Sequence, residues 1–157
     1  MRLEKDFAEL LELFNKHNVK YCIVGAFALA FHAHPRYTKD MDLLVQPTAK
    51  NGERIVTALR DFGFGSLRLT PEDFTEPEQV IQLGYPPLRI DLLTSLSGVD
   101  FPEVWAHRVS ARYGSINVNF ISSNDLIKAK STTGRPQDEV DVQHLRAIIH
   151  RGDSDSA

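Results

Sequence analysis

The chain has 157 residues, 42% hydrophobic and 25% charged, so it can bury one core and is too apolar for a disordered segment. Its formal net charge of −3 excludes a generally basic surface for nucleic acid. The single cysteine excludes an internal disulfide, and no apolar run reaches the roughly twenty residues that span a bilayer. We therefore expect one cytoplasmic domain over residues 1–151, with no membrane partner, and a disordered tail over 152–157.

Hydrophobic periodicity predicts the helices, and short apolar runs bounded by glycine or proline predict the strands. In chain order these elements are a helix ending near residues 16–18, a strand over 20–24, a Gly25-Ala26 turn, a helix over 27–32, a strand from Met41 to Val45, a helix over 49–62, strands over 80–83 and 88–93, a short helix over 101–108, a hairpin over 109–121 and two closing helices. Thr48 suits the N-cap of the helix over 49–62, and Gly63 suits its end. The strand over 88–93 is expected to place Asp91 beside Asp42.

The sequence Asp40-Met41-Asp42 places two carboxylates at the start of an apolar, strand-like run. Side chains at positions i and i+2 of a strand share one face, so both carboxylates can converge on one point. Asp91, on a second strand-like run, adds a third acid. Because ionised carboxylates are rarely buried without a partner and repel one another, either a cation neutralises them or one of them holds a proton. Three aspartates on two strands predict a metal site with hard oxygen ligands.

Other roles for these charged residues stay open. Acids near strand ends also cap turns or pair with a nearby arginine, for which Arg36 and Arg89 are the candidates. Arg36 either orients a phosphate or pairs with Asp40, and the second role is favoured because the acids need compensation without metal. Lys130 either reaches a phosphate as a point charge or is a solvated helix lysine.

Three further observations concern helices. Gly25 allows the backbone to approach a phosphate, and the free N–H groups at the start of the following helix favour an anion. Every strand–helix corner needs a small residue, so this corner is indicated as a phosphate site only by the carboxylate pair about fifteen residues later.

Asp138 and Asp141 lie in the first turns of the last predicted helix, where a structural role is the default. His32 and His34 do not share a helix face, so joint metal ligation is not expected.

The stretch from Val24 to Val45, VGAFALAFHAHPRYTKDMDLLV, resembles the nucleotidyltransferase superfamily, in which a strand, Gly-Gly or Gly-Ser, and a helix precede Arg-x-Thr-x-Asp-x-Asp. Near the end of the chain, the runs DLIKAK from Asp125 and GRPQD from Gly134, followed by Asp141, resemble the closing helices of its small bacterial members. The resemblance covers residues from about 20 to 148. It implies an α/β fold of the α+β type, with a mixed twisted sheet flanked by helices.

The resemblance also implies the site. The catalytic and metal-binding residues would be Asp40, Asp42 and Asp91, holding Mg²⁺ or Mn²⁺, and the nucleotide-binding residues would be Gly25, Ala26, Arg36, Thr38 and Lys130. The implied reaction is in-line attack on an NTP, which passes a nucleoside monophosphate to an unknown acceptor, whether RNA, protein or small molecule, and releases pyrophosphate.

Ala26 departs from the family pattern, because it lacks the hydroxyl that the serine version offers to the phosphates. A second class of function therefore stays open, in which a weak or inactive domain binds a nucleotide or a protein partner in a toxin–antitoxin or phage-defence pair. The sequence identifies neither the nucleotide nor the acceptor, and it leaves the oligomeric state open.

Overall fold

The computed structural model describes residues 5–33, 39–65, 68–84 and 89–155, the last four of these as backbone alone. The helices are α1 (Lys5–Lys16), α2 (Gly25–His32), α3 (Ala49–Phe62), α4 (Phe101–Ala106), α5 (Ser123–Ser131) and α6 (Pro136–Asp155), with a 3-10 helix over Pro71–Phe74. The strands are β1 (Tyr21–Val24), β2 (Asp40–Val45), β3 (Val80–Leu83), β4 (Arg89–Leu93), β5 (Val109–Tyr113) and β6 (Ile116–Phe120). In this part of the chain no helix is long and apolar enough to cross a bilayer.

The described strands form one sheet in the order β3-β4-β2-β1-β6-β5. Strand β2 pairs parallel with β4 and antiparallel with β1, while β1 pairs parallel with β6. The outer pairs, β3 with β4 and β5 with β6, are antiparallel. The sheet is therefore mixed and flanked by helices, which confirms the α/β fold class expected from the sequence.

Local sequence signals explain most of the boundaries. The hydroxyl of Thr48 accepts a hydrogen bond from the backbone N–H of Asn51, and Gly63 ends α3 with a left-handed φ of 100°. Both predictions for this helix are confirmed. The predicted turn at Gly25-Ala26 is wrong in detail, because Gly25 takes a φ of +66° and the chain enters α2 without an intervening loop. Glycine adopts such a backbone without the steric cost that a Cβ atom adds.

The core explains why β2 carries its acids on one face. Along β2, Met41 and Leu43 are fully buried in the hydrophobic core, to which α1 and α3 also contribute. Alternation along the strand therefore directs Asp40 and Asp42 to the opposite face. The parallel register with β4 then pairs Asp42 with Asp91. The expectation that Asp91 lies on a strand beside Asp42 is confirmed.

Candidate functional site

Two neighbouring strands present four charged residues at adjacent positions, which we call the carboxylate cluster: Asp40, Asp42, Arg89 and Asp91. In the register of β2 and β4, Asp40 lies opposite Arg89, and Asp42 lies opposite Asp91. Side chains paired in this way share one face of the sheet. The cluster thus contains three acids and a single base.

Gly25 lies directly against this cluster. A Cβ atom built at Gly25 would overlap the carboxylate of Asp42, so that a larger residue would force this side chain to shift. The positive φ and this close approach both require glycine at the junction of β1 and α2. No described side chain caps the start of α2, and its first turn contains no acidic residue. Because Gly25 is the first residue of α2, the positive end of the helix dipole lies beside the carboxylate of Asp42.

The electrostatics of Asp42 show that the acids crowd one another. Burial, and after it the negative charges of Asp91 and Asp40, raise the pKa of Asp42 from 3.8 to about 6. The positive charges of Arg89 and Lys130 oppose this shift without cancelling it. A carboxyl with a pKa this high is half-protonated near pH 6, so the cluster has too little positive charge to hold three ionised acids.

Arg89 compensates the cluster only in part. Its Nη2 lies 3.7 Å from Oδ2 of Asp40, and its Nε lies 3.6 Å from Oδ1 of Asp91, both longer than a hydrogen bond. Within the described residues, Arg89 Nε and Asp91 Oδ1 are buried and have no hydrogen-bond partner. Carboxylate oxygens are the ligands that Mg²⁺ and Mn²⁺ prefer, so the donor set and the unpaired oxygen of Asp91 fit a divalent cation.

A cleft of about 500 Å³ opens beside Gly25 and Asp42. Apolar side chains line it from strand and helix alike: Val24, Val80, Leu93, Leu96, Leu126 and Ala129. Val80 is unusual among them, because it is a large hydrophobic residue that is 60% exposed. The polar lining includes Lys130, which the sequence analysis named, together with Ser97, Thr133, Arg135 and Asp138.

Part of the cleft lining lies where α5 meets α6 and comes from Lys130, Thr133, Arg135 and Asp138. Together with Asp141, which pairs with Lys130, we call these residues the corner cluster. The ammonium of Lys130 lies 3.1 Å from Asp138 Oδ1 and 3.0 Å from Asp141 Oδ2. The hydroxyl of Thr133 donates to Asp138 Oδ2 at 2.6 Å, and Arg135 Nε donates to the same oxygen at 2.8 Å. Burial by itself would raise the pKa of Asp138, but these hydrogen bonds and positive charges lower it.

Lys130 therefore does not have one of the two roles predicted from the sequence, that of a solvated lysine. It is 14% exposed and held by two buried carboxylates, so it is not a solvated helix lysine.

Arg36, Thr38 and His34, which were also considered from the sequence, lie outside the described residues. His32 is half-buried, and its Nε2 lies 2.6 Å from the carbonyl oxygen of Ile121.

Sequence reasoning overlooked Arg135 and Thr133 as cleft residues. The signal was present in the run GRPQD, because Arg135 and Asp138 are three residues apart at the start of a helix and face one another. Arg89 was considered only as one of two arginines that pair with the acids, and its register with Asp40 singles it out.

A third charged group lies outside the cleft lining. Glu103, His107 and Asp125 hold their ligand atoms within 4.8 Å of one another, which is close enough for a metal ion. Each of them already has a partner, since Lys128 pairs with Glu103 and His107 Nδ1 lies 3.0 Å from Asp125 Oδ2. We interpret this group as an ion-pair network that joins α4 to α5.

Comparison with known proteins agrees with this fold. The chain matches a protein family described as nucleotidyltransferase of unknown function (DUF6036) over residues 1–155. Its fold is similar to the crystal structure of the lincosamide antibiotic adenylyltransferase LnuA with lincomycin bound, with a TM-score of 0.56 and 14% identity, covering 92% of this chain and 97% of that one.

The fold is also similar to an antigenic nucleotidyltransferase-like protein from Paracoccidioides brasiliensis, with a TM-score of 0.52 and 16% identity, covering 94% of this chain and 77% of that one. At these identities the likeness concerns the fold alone. No curated protein sequence matches the chain. The match over nearly its whole length shows that the chain belongs to this family of nucleotidyltransferases of unknown function.

Proposed function

We propose that the protein transfers a nucleoside monophosphate from an NTP to an acceptor and releases pyrophosphate. The observation that carries this proposal is the register of β2 and β4, which pairs Asp42 with Asp91 directly beside Gly25 and the start of α2. Nucleotidyl transfer needs carboxylates that bind a divalent cation next to a surface that binds phosphates. Because the family is one of nucleotidyltransferases, nucleotidyl transfer is the reaction that this arrangement supports best.

In this proposal the three aspartates hold Mg²⁺ or Mn²⁺. When bound, such an ion would neutralise the acids and supply positive charge to the phosphates of the nucleotide. Asp91 is the residue that we assign to the acceptor, because its Oδ1 has no hydrogen-bond partner among the described residues. It takes the proton of the acceptor hydroxyl as the hydroxyl oxygen bonds to the α-phosphorus and the bond to the pyrophosphate oxygen breaks.

The phosphates bind at the corner between β1 and α2. The backbone N–H groups of Gly25 and Ala26 and the dipole of α2 favour negative charge there. Lys130 adds a positive charge from the corner cluster, within electrostatic range of Asp42. Arg36 and Thr38 keep the nucleotide-binding role that the sequence resemblance implies for them.

The acceptor is proposed to be a small molecule with a hydroxyl group. The structurally similar LnuA is a lincosamide antibiotic adenylyltransferase, and its fold covers nearly the whole of this chain. The cleft of this chain has an apolar wall that includes Leu96 and the exposed side chain of Val80. Net negative charge argues against a long nucleic acid as acceptor, since nucleic-acid binding depends on positive charge.

The test is transfer of label from α-³²P-labelled NTPs in the presence of Mg²⁺. Each of the four NTPs is incubated with the protein and with one of three acceptor pools, namely small metabolites supplemented with lincomycin, total RNA, and soluble protein. We expect label in the small-molecule pool, and a loss of about a hundredfold or more in Asp40→Asn/Asp42→Asn, because the phosphates then lose their bound cation.

The matched control is Asp61→Asn, which removes a charge from an exposed aspartate on α3 that pairs with His17. It should transfer label at the wild-type rate. Equal transfer by the double variant would refute the assigned residues. Tight NTP binding without label in any pool would instead support a binding domain that acts through a partner.

A further inference from the structure

Arg89 is placed among the acids by the backbone and not by good contacts of its own side chain. Its backbone N–H donates to the carbonyl of Lys39 at 3.0 Å, and the strand register fixes it beside Asp40. A guanidinium has five N–H donors in a planar fork that matches a carboxylate. Here it lies between two carboxylates, and its ion pairs with Asp40 and Asp91, at 3.7 and 3.6 Å, are both longer than a hydrogen bond.

The contact with Asp91 is the weak point of this arrangement. Arg89 Nε and Asp91 Oδ1 face each other at 3.6 Å, and both atoms are buried and without a hydrogen-bond partner in the described residues. Each unpaired buried group costs free energy that a better partner would recover. A divalent cation is a better partner for Asp91, and water is a better partner for Arg89.

The exposure of the two side chains shows which of them can move. The side chain of Asp91 is 12% exposed, whereas that of Arg89 is 37% exposed. A rotation about the side-chain bonds of Arg89 is therefore enough to carry its guanidinium into solvent while β4 stays in place. Repulsion between two cations within a few ångströms supplies the force for this rotation.

We infer that Arg89 is the internal counter-ion of the metal-free carboxylate cluster, and that a divalent cation displaces its guanidinium from Asp91. The inference rests on the metal role in the proposed function and adds the state of the site before loading. Arg89 then has two effects of opposite sign: it holds the acids together without metal, and it competes with the metal for them. Free Mg²⁺ or Mn²⁺ binds less tightly than the three acids alone would allow.

Titration calorimetry with Mn²⁺ in the absence of nucleotide tests the competition. Arg89→Gln should bind Mn²⁺ about tenfold more tightly than the wild type, because one positive charge has left the site. Arg89→Lys keeps that charge and should stay close to the wild type. Arg60→Gln, on an exposed part of α3, is the matched control for the change in net charge and should have no effect.

Thermal melting tests the other effect of Arg89, which is the stabilisation of the acids in the absence of metal. Without metal, Arg89→Gln should melt below the wild type, and saturating Mn²⁺ should remove most of that difference. An Arg89→Gln variant that binds Mn²⁺ no more tightly than the wild type would overturn the inference and leave the proposed function standing. If Mn²⁺ binds neither protein, the metal role in the proposed function falls together with the inference.

A measurement on the wild type covers the case in which Arg89→Gln does not fold. Phenylglyoxal modifies accessible arginines, and mass spectrometry reports the modified positions. Modification of Arg89 should rise at least about twofold when Mn²⁺ is added, since the guanidinium moves into solvent, while modification of Arg60 stays constant. Unchanged or reduced modification of Arg89 with Mn²⁺ bound would overturn the inference.

Discussion

The carboxylate cluster and the corner cluster contribute to the same cleft, and both contain buried acids with basic partners. In the corner cluster, Asp138 and Asp141 have partners at 2.6 to 3.1 Å. In the carboxylate cluster, Asp91 faces Arg89 at 3.6 Å with an oxygen that bonds to no described residue. Burial does not explain the difference, because Asp138 and Asp141 are at least as buried as Asp91.

The two clusters also shift acid pKa values in opposite directions. The pKa of Asp42 is raised, first by burial and then by its acidic neighbours, whereas hydrogen bonds and cations overcome burial and lower the pKa of Asp138. Buried acids that serve the fold have their hydrogen bonds satisfied within the chain. An acid with an unpaired buried oxygen destabilises the protein, and a ligand that binds this oxygen recovers the lost free energy. This is the property expected of a binding site.

The largest expected effect is on stability, when the corner cluster loses its central acid. Asp138→Ala leaves Lys130, Thr133 and Arg135 without their shared acceptor while Asp141 still pairs with Lys130, and we expect the free energy of unfolding to fall by about 2–3 kcal/mol. Urea unfolding without metal measures it. Asp42→Asn is the contrasting variant, because removal of a repelling acid should leave stability level or raise it. A loss at Asp42 as large as that at Asp138 would remove the distinction between the clusters.

The sequence was informative where one residue type decides the local structure. Alternation of apolar residues along β2 put both acids on one face, and the glycine and proline around the two strands predicted that Asp91 would return beside Asp42. Thr48 and Gly63 marked the ends of α3 because capping is a local interaction.

The sequence was uninformative where contacts depend on how elements pack. It offered both Arg36 and Arg89 as partners of the acids and favoured Arg36 for Asp40, whereas the sheet register puts Arg89 beside Asp40. The corner cluster needs α5 and α6 to meet at a defined angle, which brings Lys130 to acids eight and eleven residues later. Periodicity within one helix carries no information about that angle.

A smaller effect is expected from adding a hydroxyl at the start of α2. Ala26 lies in the first turn of α2, which no described side chain caps. Ala26→Ser offers the phosphates one charge-assisted hydrogen bond, and we expect NTP affinity or transfer to rise roughly tenfold, about 1.5 kcal/mol. Calorimetry and label transfer measure the two quantities.

The control for this substitution is Ala33→Ser, at the C-terminal end of the same helix, where no phosphate is expected. It should leave affinity and transfer unchanged. If Ala26→Ser folds normally and changes neither quantity, the enzymatic role loses support and the partner-binding role gains it.

The smallest expected effect is a difference in pH dependence, and it separates the clusters without a ligand. The pKa of Asp42 is about 6 in the folded protein against an ordinary value of 3.8. A pKa raised by folding stabilises the protein below the unfolded value, and this contribution is lost as pH rises through the folded value. Wild type should therefore lose on the order of 1 kcal/mol relative to Asp42→Asn between pH 4 and pH 7.

Asp138 has the opposite sign and a different window. Its pKa is lowered by folding, so its contribution is present above 3.8 and is lost only as pH falls through the lower folded value. Between pH 5 and pH 7 it stays constant, and a change in that range reports Asp42 and not the corner cluster. Urea unfolding of wild type and Asp42→Asn in EDTA at pH 5, 6 and 7 measures the difference. A difference that stays flat across these three values would mean that the acids of β2 and β4 are already neutralised within the chain, and the carboxylate cluster would then be as closed as the corner cluster.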